Sequence, residues 1–269
     1  MTDARRILAE RVARLDQRPS FANRQFGFDS DLAHFVQVMD AIVPPGSPIE
    51  AASITSAALA DEVIDTSRLI NRILAKAPEI VVGPLARAEQ YWVATERPSH
   101  LPARLGTLGR TSFVEASTAD KAPPSTKPFE FGLYTSTGAL GTWGMWWCLL
   151  QLSRGSTLFP FPWKIWSVSA SEDAKVLEIT TAQEWVDLVS REPVYSNKFL
   201  YPNWTAVSEQ WDAVHVTARA VAATQGIRFS VGNSTTAPAY WGVESTLWLR
   251  WAFAAIELLQ VLEDVASPD

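Results

Sequence analysis

The residues best suited to chemistry lie in the stretch 131–153, FGLYTSTGALGTWGMWWCLLQLS, and at Glu244. Thr135, Ser136 and Thr137 set three hydroxyls in a row, and the glycines at 138, 141 and 144 leave nearby main chain open to close approach. Hydroxyls beside free amides suit the amide and ribose oxygens of a nucleotide better than an apolar ligand. The plainer reading is a strand that ends in an ordinary Ser/Thr/Gly turn. Arg104 and Arg110 stand among Gly106 and Gly109 at the entrance to residues 111–116, which alternate as a strand. A planar guanidinium at such an edge matches the oxygens of a diphosphate, although single arginines are commonly surface residues. Glu244 follows the polar loop 232–238 and precedes a strand candidate at 246–253.

Ordinary periodicity supplies the elements that must hold these groups. Residues 1–18 read as an amphipathic helix, and Asp29 or Ser30 caps a second one through Asp40. A long helix is expected over 56–76 and another over 80–93, with a proline-rich break at 43–49. Strands are expected at 163–168, 175–179 and 211–217, with a helix following Thr181 and another at 218–224; Thr181 and Glu184 form a capping box for the first of these helices. Residues 192–203 read as irregular, and 254–265 as a closing helix. His215 lies in a buried-strand candidate and reads as packed. Together these give an α+β fold, with a helical N-terminal region (1–102) followed by a mixed, mostly antiparallel β core with flanking helices (103–269). The N-terminal carboxylates are scattered on solvated faces, so that region reads as a helical cap or a docking surface for a protein partner.

Composition narrows the function classes. A net charge of −6 over 269 residues argues against a surface devoted to nucleic-acid backbones. No run of 18 apolar residues occurs, so a membrane span is not expected, and the N-terminus lacks the apolar centre of a signal peptide. A cytoplasmic location is the expectation. The single cysteine, Cys148, cannot form an internal disulfide, and His34, His100 and His215 lack zinc-site spacing, so no metal is expected. Eleven of the 12 tryptophans fall between Trp143 and Trp251, which fits either an aromatic core or a cleft that stacks a flat ring. The chain carries no GxGxxG after a strand, no P-loop and no GxSxG elbow.

The order of an arginine at a strand entrance, Tyr134-Thr135-Ser136-Thr137 closing a later strand, and Glu244 after a polar loop resembles the ADP-ribosyltransferase superfamily, and more loosely RES-type toxins. The likeness covers about residues 103–265. It implies NAD as the substrate and a transferase or NAD glycohydrolase activity, in a toxin or defence effector. Arg110 or Arg104 would then hold the diphosphate, Thr135, Ser136 and Thr137 the nicotinamide-ribose half, and Glu244 the ribose 2′-hydroxyl. Tyr134, Trp143 and Trp241 would pack against the rings. Arginine-modifying members carry Glu or Gln two residues before the catalytic glutamate; here that position is Gly242, which leaves the ADP-ribose acceptor open. Two alternatives stand beside this reading. One is a Trp-lined, non-enzymatic module for carbohydrate or another flat ligand; the other is a glycosidase-like pairing of Glu178, Glu184 or Asp212.

Overall fold

Two sheets position the candidate residues. The computed structural model describes residues 3–17, 27–42, 52–54, 56–95, 108–118, 123–238 and 240–263. Helices α1 (Asp3–Leu15) and α2 (Ser30–Asp40) come first, then strand β1 (Ala52–Ile54) and helices α3 (Ala57–Ile64), α4 (Arg68–Lys76) and α5 (Pro78–Val81). Strands β2 (Gln90–Thr95) and β3 (Leu133–Thr137) precede α6 (Met145–Leu152), β4 (Trp163–Ala170), β5 (Val176–Ile179) and α7 (Ala182–Arg191). The remainder is β6 (Pro193–Ser196), β7 (Phe199–Pro202), α8 (Trp204–Gln210), β8 (Ala213–Val216), α9 (Ala218–Thr224), β9 (Ile227–Val231), β10 (Ser234–Thr236), β11 (Ser245–Trp248) and β12 (Phe253–Leu262).

The seven-stranded sheet runs β12-β4-β2-β3-β11-β8-β5, antiparallel throughout except for the parallel pair β5–β8. The five-stranded sheet runs β1-β9-β10-β7-β6 and is mixed. The fold is thus α+β. One apolar core joins the N-terminal helices to α7, α9, β8 and β11, through Leu8, Phe35, Ile64, Trp185, Val214 and Leu247 among others. Burial of these side chains is the main stabilising term, at roughly 1.5–3 kcal/mol for each large one.

The helices before residue 77 are bound to the later chain through helix ends, where main-chain groups lack intrahelical partners. Arg11, buried, donates to the carbonyls of Ala222 and Gln225 at the C-terminus of α9, 2.7 and 2.6 Å away. Asp61 accepts from the amides of Ala182 and Gln183 at the N-terminus of α7. Asp16 does the same for α4, taking the Arg68 and Leu69 amides and the Ser67 hydroxyl. Strand β2 also lies in the middle of the larger sheet and β1 at the edge of the smaller one, so residues assigned above to a helical N-terminal region build both sheets.

Several expectations change. The long helix over 56–76 is two helices, separated at Asp65–Ser67, with Ser67 capping the second. The helix over 80–93 is replaced by a turn and by β2; the apolar spacing of Leu85, Ala88 and Tyr91 is outweighed by the QYWVAT run, whose aromatic and β-branched side chains fit a sheet interior. Residues 111–116 form turn and coil leading into a short 3₁₀ turn. Residues 192–203 hold the hairpin β6–β7. The closing helix expected over 254–265 is replaced by strand β12, which pairs with β4 from Phe253 to Leu262 with two register shifts; residues 264 and 265 lie outside the described residues. Asp29 caps α2 and the Thr181–Glu184 capping box forms as the residue types dictate. Residues 97–102, the end of the expected N-terminal region, lie outside the described residues.

Candidate functional site

Pairing of β3 with β11 brings the hydroxyl strand and the acid together. Thr135 stands opposite Thr246 in that antiparallel pair, which sets Thr137 at the end of the sheet where Glu244 enters. The Thr137 amide donates to both carboxylate oxygens of Glu244, at 3.2 and 3.1 Å, and its hydroxyl donates to Oε1 at 2.8 Å. Ser136, on the opposite face of the strand, donates its hydroxyl to the Glu244 carbonyl at 2.9 Å and accepts from the amide of Trp146 in α6. Gly144, at a φ of 91°, makes that contact possible; a Cβ there would run into the Ser136 side chain.

A third residue faces the same acid. His215 of β8 reaches Glu244 Oε1 through Nε2 at 3.0 Å, and through Nδ1 it reaches Glu178 Oε2 at 2.5 Å. Glu178 lies on β5, directly across the parallel pair from His215. Its other oxygen accepts the Leu85 amide at 2.9 Å, and Gly83 presses against it so closely that a Cβ would sit 2.9 Å from Oε2. The His215 and Glu244 side chains have no exposed surface, whereas Glu178 keeps 28% of its own. Burial opposes charge on the imidazole, but hydrogen bonds to Glu178 and then Glu244, with their negative charges, outweigh it and hold the His215 pKa up to about 9.

The network continues on the far side of Thr137. Gln90 of β2 donates to the Thr137 hydroxyl at 2.9 Å and to the Ala86 carbonyl, and accepts from Thr135 at 2.6 Å; Trp248 Nε1 donates to Thr135 at 2.9 Å. A continuous run of buried donors and acceptors therefore links Trp248, Thr135, Gln90, Thr137, Glu244, His215 and Glu178. Thr246 lies in the midst of it, opposite both Thr135 and His215, and its buried hydroxyl has no hydrogen-bond partner among the described residues.

The other expected residues lie elsewhere. Arg110 is on an exposed turn anchored by Leu108 and Phe113, and no hydrogen bond or ion pair among the described residues ties it to Glu244 or to residues 135–137. Arg104 lies outside the described residues. Tyr134 alternates away from Thr135 and Thr137, onto the other face of β3, where its ring meets the edge of Trp241 with centroids 5.7 Å apart. Trp241 is fully buried, donates to the Thr126 carbonyl and also packs on Trp185. Trp143 belongs to an aromatic cluster with Trp146, Trp147, Phe159, Phe161 and Trp163 and meets the ring of Trp147 at 4.8 Å. Glu184 and Asp212 are occupied by main-chain amides of Thr180, Thr181 and Lys175.

One cation escaped the sequence reading. Lys127 Nζ sits 4.9 Å from the Tyr134 ring centroid and 5.2 Å from that of Trp241, and donates to the Tyr240 carbonyl at 3.0 Å. No ion pair involves it among the described residues, and burial lowers its pKa to about 8. Phe129 and Tyr240 are exposed beside it, and Tyr240 takes a positive φ of 66°, an uncommon conformation for an aromatic residue. The signal in sequence was a lysine followed by Pro128 at the end of a polar loop, which alone does not separate it from a solvated surface charge.

Comparison with family models, curated proteins and solved structures gave no match. Among the described residues no group of three or more His, Cys, Asp or Glu is arranged to hold a metal ion, and no helix is long and apolar enough to cross a membrane.

Proposed function

We propose that the chain is an NAD-consuming enzyme in which Glu244 promotes cleavage of the nicotinamide–ribose bond. The observation that carries this reading is the fixing of the Glu244 carboxylate by the amide and hydroxyl of Thr137, the last residue of the hydroxyl strand. As nicotinamide leaves with the bonding electron pair, positive charge develops on the ribose, and a carboxylate already held in place stabilises it without reorganising. Water or another nucleophile then attacks the anomeric carbon and releases a proton, giving free ADP-ribose or an ADP-ribosylated acceptor. The acid has no exposed surface here, so its cover must withdraw for a ribose to reach it. A toxin or defence effector acting in the cytoplasm is the biological setting this activity suits.

The test is chromatography of NAD incubated with the protein, alone and with cell lysate as a source of acceptors. Nicotinamide should appear, and Glu244→Gln should slow its release about 10²–10³-fold or more. No release under either condition overturns the reading.

A specific feature favours a second reading, a non-enzymatic module for a flat ligand. Lys127, caged between Tyr134 and Trp241 with Phe129 and Tyr240 at the surface, offers rings and a positive charge together. Quenching of tryptophan fluorescence by a flat anionic ligand that remains chemically unchanged, with no NAD cleavage, would favour it.

A further inference from the structure

We propose that Glu178, acting through His215, is the positioning residue of Glu244, and that the three form a relay by which an acid near solvent fixes the orientation and charge of a buried one. The catalytic meaning of this relay rests on the NAD reading; its physical part can be decided without turnover.

The geometry is directional. Among the described residues Thr137 supplies the N–H and O–H donors to the Glu244 carboxylate besides the imidazole, so removing His215 leaves both carboxylate oxygens with the Thr137 contacts alone. His215 is in turn held from behind by Glu178 at 2.5 Å, and Glu178 by the Leu85 amide and by the close approach of Gly83. Among the described residues, the charged groups facing His215 are these two acids; the neighbouring positions on β11 and β3 present the uncharged Thr246 and Thr135. With both ring nitrogens directed at carboxylates, a doubly protonated imidazole donates to both, in keeping with a pKa held up to about 9.

Burying such a triad is expensive, because desolvation of ions commonly exceeds what their mutual attraction returns. A wholly structural role would be met as well by apolar side chains like those of the adjoining core, Val214, Val216 and Leu247 among them. Glu178 is also the one member with surface left for exchange of protons with water. The charge on His215, held by Glu178, sets the field felt at Glu244, and through Glu244 the hydrogen bonds of Thr137.

Two nuclear magnetic resonance signals test the relay in the intact protein. One is the ring nitrogens of His215 and the other is the Thr137 amide proton, which contacts both Glu244 oxygens. Both should titrate together in the native protein. Glu178→Gln, a change at a partly exposed position, should lower the His215 midpoint by about one pH unit or more and carry the Thr137 signal with it. Glu178→Asp should restore most of the shift. A His215 midpoint, or a Thr137 amide titration, unaffected by Glu178→Gln overturns the proposal.

Turnover gives a separate readout. Glu178→Gln should lower kcat about tenfold with KM little changed, and should move the alkaline limb of the pH profile downward in step with the ring. An unchanged kcat and pH profile overturns the positioning role. Absence of nicotinamide release from the native protein defeats the NAD reading instead, and the two resonance signals still decide the relay.

Discussion

Thr137 and Glu244 hold one another at the joint of β3 and β11: the threonine amide reaches both carboxylate oxygens and its hydroxyl reaches one of them at 2.8 Å. The same hydroxyl accepts from Gln90, so it links two polar groups that both lie in the protein interior. Thr137→Val keeps the shape and removes both bonds. A buried donor or acceptor left unsatisfied costs about 1–3 kcal/mol, and more beside a charged group. The variant should therefore unfold at lower denaturant with an unchanged m-value, and should lose nicotinamide release more severely than stability. Equal activity in folded Thr137→Val and native protein would separate this contact from catalysis.

The imidazole of His215 makes stability depend on pH in a defined direction. Its folded pKa, about 9, lies above the ordinary value of 6.5, so the folded state holds the proton more tightly than the unfolded chain. The stabilisation is fully present below pH 6.5 and is lost as pH rises through 9, and it amounts to about 3 kcal/mol at most. Unfolding free energies measured across this window should fall with pH. In His215→Gln the fall should vanish, and with it part of the stability at neutral pH. A native profile flat between those limits would show that the ring is not charged when folded.

The acid and the hydroxyls were legible as candidates because their types and order are local facts, whereas their meeting depends on strand pairing that no window of sequence reveals. His215 read as packed, and it is. Its charged character comes from Glu178, 37 positions earlier, which the parallel register of β5 and β8 sets directly opposite. The same limit explains β12: Ala, Leu and Glu give residues 254–262 a helical appearance, but eight residues paired along β4 outweigh that propensity. Buried polar positions also misled. Gln90 and Thr95 are buried in β2, so the strand shows no apolar–polar alternation, and Tyr91 falls at a helical spacing from Leu85 and Ala88 before it. Capping was legible at Thr181, and at Asp29 as one of two candidates with Ser30, because a cap is decided within four residues.

Helix-end contacts make the first helices part of the fold. Asp61→Ala removes two acceptors from the N-terminus of α7 and should cost about 0.5–2 kcal/mol, the range for lost helix caps. Arg11→Met should cost more than a surface substitution, because the carbonyls of Ala222 and Gln225 lose a buried charged donor. Thermal unfolding of both variants should remain a single transition at lower temperature. A separate early transition confined to the N-terminal helices would instead mark them as an independent unit.

Lys127 and His215 should be distinguishable by opposite signs. The Lys127 pKa falls to about 8 from 10.5 because burial disfavours its charge, so the unfolded chain binds the proton more tightly. Its linkage makes stability rise with pH between those values, against the loss expected from His215. The rings of Tyr134 and Trp241 recover part of the cost through cation–π attraction. An amine that is half neutral near pH 8 should react with acylating reagents well below the pH needed by solvated lysines. Peptide mapping of the labelled protein against pH should therefore show a midpoint near 8 at Lys127. Lys127→Met, which keeps the apolar stem between the rings, should remove both that label and the rise in stability while leaving the His215 window intact. Labelling of Lys127 only in the range of ordinary lysines would show that its ammonium group is solvated and would remove the case for a ligand-facing cation on this side of β3.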